Sequence, residues 1–239
     1  MTDAVRRELA PTGVLRVAIN MSNILLVTDK ARDGTPIGVA PDLSRAIADR
    51  LGLEISLVPM ALPGEVADAI GGQDIDMGLI AHEPERARSI AFSSPYVEIE
   101  ATYLVVAQAP FRTVDEVDTP GTRIAVCDRS AYDLYLKRTL QHAELVRAVG
   151  LDGTFEMFRR DGMQVLAGLR PALIGNAREM PGTRILPGRY MAVQQAVGTK
   201  PGKNDAQAFI NGFLAEARES GFIAELLERH GVSESLSVV

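Results

Sequence analysis

With 239 residues, 46% of them apolar and 23% charged, the chain can bury a sizeable core and has neither a disordered nor a fibrous composition. A formal net charge of -6, from 25 Lys and Arg against 31 Asp and Glu, excludes a broad phosphate-binding face and with it a nucleic-acid partner. The single cysteine, Cys127, excludes an intrachain disulfide, and the scattered His82, His142 and His230 form no pair at metal-ligand spacing, so neither a metal nor a cofactor is expected.

The first residues, Met1 to Pro11, carry Asp3, Arg6, Arg7 and Glu8 and no long apolar run, which reads as neither a secretory signal nor a membrane span. Leu15 to Ile19 reads as a first strand ending at Asn20. After a turn around Asp33-Gly34-Thr35-Pro36, the stretch Pro41 to Leu51 puts Leu43, Ala46, Ile47 and Leu51 on one helical face. Pro41 stands near its start and Gly52 just past its end. Leu53, Ile55 and Leu57 alternate as a second strand, so the chain opens with the strand-helix-strand unit of parallel sheets.

A short helix over Val66 to Ile70 precedes a strand over Ile75 to Ile80, and Tyr103 to Ala107 and Arg123 to Cys127 are further apolar runs. Ser130 opens a helix predicted from about Ala131 to Val146, and a second helix follows over Gly153 to Arg160. Gln164 to Leu169 and Met191 to Ala196 read as strands. Asp205 to Ser220 and Phe222 to His230 read as two helices closed by Gly221 and Gly231. No fixed-period repeat and no low-complexity tract interrupts this rhythm.

Glu83-Pro84-Glu85-Arg86-Ala87-Arg88 followed by Ile90-Ala91-Phe92-Ser93-Ser94-Pro95-Tyr96 places an arginine in a short helix just beyond a strand end, where α/β ligands bind. Arginine's planar fork matches a carboxylate with two parallel hydrogen bonds. A surface arginine paired with Glu83 or Glu85 is the competing reading. The stretch resembles the signature of the type 2 periplasmic solute-binding proteins of the polar amino acid class. Gly34, Pro36 and Gly38, then Asp42-Leu43 and Ala46-Ile47, match that family's opening pattern, and the likeness runs from about Leu15 to His230.

The resemblance implies an α/β fold of two lobes, each a mixed sheet flanked by helices, with the ligand in a cleft between them. Lobe 1 would comprise residues 12–98 and 196–239, lobe 2 would be inserted as residues 99–195, and the hinge crossovers would lie near 98–102 and 192–196. It implies ligand contacts at Arg86, which falls on the family's carboxylate-gripping arginine, at Asn20, Asn23 and Ala81, and at Arg129, Ser130 and Ala131 where a strand meets a helix. Ser130 also reads as an ordinary N-cap with Asp133 at the third helical position. Arg129 stands where the family often has Gly, and reads equally as an anion contact or a solvated charge. Gln194 and Gln195 reach a ligand or brace the hinge.

The departures from the family carry information as well. Where an acidic residue for a ligand's α-amino group is expected, the chain reads Ala167-Gly168-Leu169-Arg170-Pro171. The loop after Asn20 holds Met21, Ser22, Asn23 and Ile24 in place of an aromatic residue. Arg170 suggests a more anionic ligand, or caps a strand.

The function so implied is a monomeric solute-binding protein of an ABC-type importer, periplasmic or extracytoplasmic, that works with a membrane permease and takes an anionic or zwitterionic small molecule. The apparent lack of a signal keeps a cytoplasmic location open. The alternatives are a cyclohexadienyl dehydratase-like enzyme using Glu83 beside His82 and Arg86, and a ligand-sensing module. Gly198-Thr199-Lys200-Pro201-Gly202-Lys203-Asn204 lacks the glycine spacing and the hydroxyl residue of a phosphate loop.

Overall fold

The computed structural model describes residues 2–239, which divide into two compact units: unit 1 runs to Glu98 and resumes at Gln194–Val239, and unit 2 is Ile99–Val193. Unit 1 begins with α1 (Thr2–Leu9), β1 (Val14–Asn20), the small ribbon of β2 (Asp29–Lys30) and β3 (Pro36–Ile37), α2 (Val39–Leu51), β4 (Glu54–Met60), α3 (Pro63–Gly71) and β5 (Met77–Ala81). A 3-10 turn at Arg86–Arg88 and β6 (Ala91–Phe92) follow, and the chain passes into unit 2 within β7 (Val97–Val106). Unit 2 continues with a 3-10 turn at Val114–Val117, β8 (Arg123–Cys127), α4 (Ala131–Thr139), β9 (Glu144–Ala148), α5 (Leu151–Arg160), β10 (Val165–Leu169), α6 (Arg170–Glu179) and β11 (Thr183–Ile185). The chain returns within β12 (Met191–Thr199) and ends with α7 (Asn204–Glu219), α8 (Phe222–Arg229) and β13 (Ser237–Val238).

Both units carry mixed sheets. In unit 1, β1 lies between β4 and β5, parallel to each, and β12 runs antiparallel to β5 with Gln195 opposite Ala81. In unit 2, β8 lies between β9 and β10, parallel to each, and β7 closes antiparallel on β10 and β11. The parallel strands are read as apolar runs because helices cover the sheets: Val17, Ala18 and Ile19 are fully buried, as are Ile124, Ala125 and Val126. The core of unit 2 gathers Leu104, Phe155, Phe158, Leu166 and Leu173, and a cluster in unit 1 gathers Ala18, Val66, Ile70, Ile80 and Ile90.

Local chemistry explains the helix ends. Leu43, Ile47 and Leu51 of α2 are buried one turn apart, and Gly52, at φ 60, turns its N–H back to the carbonyls of Ala48 and Asp49. Gly38, at φ 152, lets the start of α2 meet the preceding loop. A β-carbon there would lie 2.3 Å from the Leu26 carbonyl oxygen.

Several elements differ from expectation. The helix opened by Ser130 ends at Thr139, and Glu144–Ala148 is a strand paired with β8. The Asp118 carboxylate accepts the amides of Gln141, His142 and Ala143, each at 2.8 Å, and this turn breaks the helix. Helix α6 was not anticipated, although Pro in the first turn is a helix-opening signal. Nor was α1, whose Val5 and Leu9 are buried. Its Arg6 donates to the Leu51 carbonyl at 2.7 Å, and its Glu8 accepts the Ala206 amide at 2.8 Å. No helix among the described residues is long and apolar enough to cross a membrane.

Candidate functional site

In unit 1, the parallel strands β1 and β5 end at Asn20 and Ala81, and the carboxyl ends of such strands are where open α/β sheets bind ligands. Arg86 lies in the 3-10 turn beyond β5 and is 6% exposed. Its Nη1 donates to the Ala81 carbonyl at 3.0 Å, which ties the guanidinium to the strand end. The turn is held locally: the Ala87 amide donates to the Glu83 carbonyl, and the amides of Ser89 and Ile90 donate to that of Arg86. Glu83 is fully buried, and its Oε2 accepts the Glu85 amide at 2.8 Å.

The rest of the motif anchors this turn to β12. The Ser93 amide donates to the Val197 carbonyl at 2.9 Å, the Ser93 hydroxyl accepts the Val197 amide at 2.9 Å, and the Tyr96 amide donates to the Gln195 carbonyl. The His82 amide donates to the Gln194 carbonyl, and the His82 ring packs against Phe92 at 4.9 Å. Gln194 and Gln195 therefore belong to unit 1, with Gln195 buried beside Ala81. The Asn20 carboxamide oxygen accepts both the amide and the hydroxyl of Ser22, while the buried Asn23 accepts the Leu25 amide with its side chain. Both asparagines shape the loop after β1.

In unit 2, Arg129 and Ser130 join β8 to α4. Arg129 is the one non-glycine residue with positive φ among the described residues, at 57°. Its amide donates to Asp133 Oδ2 at 2.9 Å, and the Asp133 amide donates to Ser130 Oγ at 3.1 Å, a reciprocal cap that sets the first turn of α4. Ala131, the first residue of that helix, is buried, and its amide lies in the turn where helix geometry supplies no carbonyl partner. Asp133 is 2% exposed, and burial pushes its carboxyl up, offset only in part by the Arg129 amide and by Arg147 at 2.9 Å.

Arg170 opens α6 at the end of β10. Its Nε donates to Glu100 Oε2 at 2.7 Å and its Nη2 to the Gly188 carbonyl. Sequence reasoning did not anticipate Glu100, because the partner lies 70 residues earlier in the chain. Asn20, Asn23, Ala81, Arg86 and Gln195 thus share unit 1, and Arg129, Ser130, Ala131 and Arg170 share unit 2.

The chemistry on offer is recognition by guanidinium groups, amides and helix starts. Burial pushes the Cys127 thiol up to about 11, away from the thiolate range a nucleophile needs. Among the described residues, no three His, Cys, Asp or Glu side chains converge to hold a metal ion.

The sequence profile of the bacterial extracellular solute-binding proteins, family 3, matches residues 15–233. No curated protein sequence matches the chain. Solved structures share its fold across nearly the whole length. An ArgBP mutant from T. maritima superposes with a TM-score of 0.76 at 23% identity, covering 95% of this chain and 98% of its own. The Streptococcus pneumoniae amino acid ABC transporter substrate-binding protein AbpA, bound to L-arginine, superposes with a TM-score of 0.77 at 20% identity, with coverage of 95% and 98%. The ancestral amino acid-binding protein AncCDT-1, a precursor of cyclohexadienyl dehydratase, gives 0.76 at 19%, with coverage of 93% and 96%. At these identities the likeness establishes the two-lobed fold.

Proposed function

The chain belongs to the bacterial extracellular solute-binding proteins, family 3, and from that premise we propose that it binds a small carboxylate-bearing metabolite for an ABC-type importer and leaves that metabolite chemically unchanged. Arg86 grips the carboxylate. Asn20, Asn23, Ala81 and Gln195 form its surroundings in unit 1, and unit 2 contributes Ser130, Ala131, Arg129 and Arg170. The protein works as a monomer on the extracytoplasmic side and delivers to a membrane permease.

The supporting observation is a buried guanidinium at the end of β5, already oriented by the Ala81 carbonyl. An arginine fixed before the ligand arrives loses little side-chain freedom on binding, so more of the bidentate interaction appears as affinity. Losing such a contact costs about 2–5 kcal/mol, so Arg86→Ala should weaken carboxylate binding by about thirtyfold to several thousandfold. Calorimetry on a variant whose circular dichroism matches the parent tests this, and unchanged affinity removes Arg86 from the site.

The likeness to AncCDT-1 and the buried Glu83 carboxyl, three residues from Arg86, support a second reading as a dehydratase. That reading requires turnover of prephenate or arogenate that Glu83→Gln abolishes. A complex recovered with its ligand intact supports the binder.

A further inference from the structure

We infer that unit 2 selects a ligand carrying a second anionic group in place of an α-ammonium, with Arg170 as the specificity-determining residue. This rests on the binding function proposed above and names its ligand class.

Strands β8 and β10 lie side by side and parallel, with Ile124 opposite Val165 and Ala125 opposite Leu166, so both deliver their carboxyl ends to the same edge of the unit. Each runs directly into a helix start, β8 through Ser130 into α4 and β10 through Leu169 into α6. Helix starts carry partial positive charge. An ammonium placed there needs a carboxylate to offset both that charge and its own lost hydration.

The carboxylates of this region face guanidinium groups: Asp128, just past the end of β8, is 43% exposed and lies 3.9 Å from Arg147. The first turn of α6 contains no acidic residue. That of α4 contains Asp133, which is 2% exposed and held by Arg147, the Arg129 amide and the Ser130 cap. Glu100 binds Arg170 Nε at 2.7 Å and lies 4.0 Å from Arg189.

Arg170 is placed differently. Nε and Nη2 are tied to Glu100 and Gly188, which orients the guanidinium, and the side chain is 27% exposed, with no hydrogen bond drawn from Nη1. The edge therefore presents an oriented donor to an acceptor, whereas a cation there meets carboxylates that already face guanidinium groups. A protein discriminates as effectively through such an unfavourable element as through an attractive one.

Calorimetry against matched pairs tests this: glutarate with L-glutamate, succinate with L-aspartate, and L-arginine and L-glutamine alongside. Within at least one pair, the acid lacking the amine should bind at least tenfold tighter than its amino acid, and L-arginine should bind more weakly than either acid. Arg170→Gln should weaken glutarate at least tenfold and reduce the preference for glutarate over butyrate. Glu100→Gln, which releases Arg170 from its partner, should tighten glutarate, a gain that a misfolded variant cannot mimic. Tighter binding of the amino acid in both pairs, or of L-arginine over the diacids, overturns the inference and leaves the binding function standing. Failure of every acid and amino acid in the panel to bind overturns both.

Discussion

At Arg129 and Gly38 the backbone conformation itself makes a structural demand. Arg129 holds φ 57, a conformation that disfavours every residue with a β-carbon by about 1–2 kcal/mol. It persists because its amide must reach Asp133 and so complete the cap of α4. In ligand-free protein, Arg129→Gly should therefore be more stable in urea than Arg129→Ala by about 1 kcal/mol, since the pair isolates the β-carbon from any loss of the guanidinium. Equal midpoints for the two variants would mean that the left-handed turn carries no strain. At Gly38 the conflict is with neighbouring backbone, a β-carbon falling 2.3 Å from Leu26 O and 2.8 Å from Val27 Cα. These neighbours are main chain and cannot rotate aside. Gly38→Ala is expected to cost about 2–4 kcal/mol in equilibrium unfolding. A cost below about 1 kcal/mol would show that the loop carrying Asn23 yields freely.

Among the elements, the turn between α4 and β9 depends on one carboxylate. Partial burial by itself would raise the Asp118 carboxyl, but the amides of Ala143, Gln141 and His142, with the His142 ring adding to them, outweigh it and hold the group below its ordinary value. A depressed folded value means that the stabilisation is fully present above the unfolded value near pH 4 and is lost as pH falls through the folded one. The parent protein should accordingly be more stable than Asp118→Asn at pH 7, and the gap should close below about pH 4. Thermal unfolding measured from pH 7 to pH 2.5 checks this, and a gap that stays constant with pH would assign the effect to hydrogen bonding alone. The same turn explains why the helix stops short of Val146. Periodicity marks apolar positions, while the three amides are claimed by an acid 23 to 25 residues earlier in the chain.

For the whole molecule, binding and stability are linked. A ligand that binds the folded chain alone, at a hundred times its dissociation constant, adds about 2.7 kcal/mol to unfolding. A thermal-shift screen over carboxylates, dicarboxylates and amino acids should thus find a ligand class that raises the midpoint, and Arg86→Ala should remove most of that rise at the same concentration. A rise that survives the substitution in full would place the anion elsewhere. The chain enters and leaves unit 2 within β7 and β12, so both passages between the units are made by strand backbone.

The order of strands and helices was legible in the sequence because burial imposes its own period on apolar residues. Leu43, Ile47 and Leu51 recur at helical spacing, and β8 reads as an unbroken apolar run because helices cover its sheet. The stretch from Glu83 to Tyr96 was legible as a short helical turn just beyond a strand end, which is where Arg86 lies. What only the tertiary structure decided is partnership across long separations. Arg170 reads as a sign of an anionic ligand or as a strand cap, and only the fold shows Glu100 and Gly188 taking two of its nitrogens; Arg129 reads equally as an anion contact or a solvated charge, and only the fold shows its φ and its amide's bond to Asp133. Local pattern records which side chains must leave water, because each answers that demand alone. A charged group's role depends on which other charges folding brings within a few ångströms, and neither residue carries that distance in its own neighbourhood of the chain.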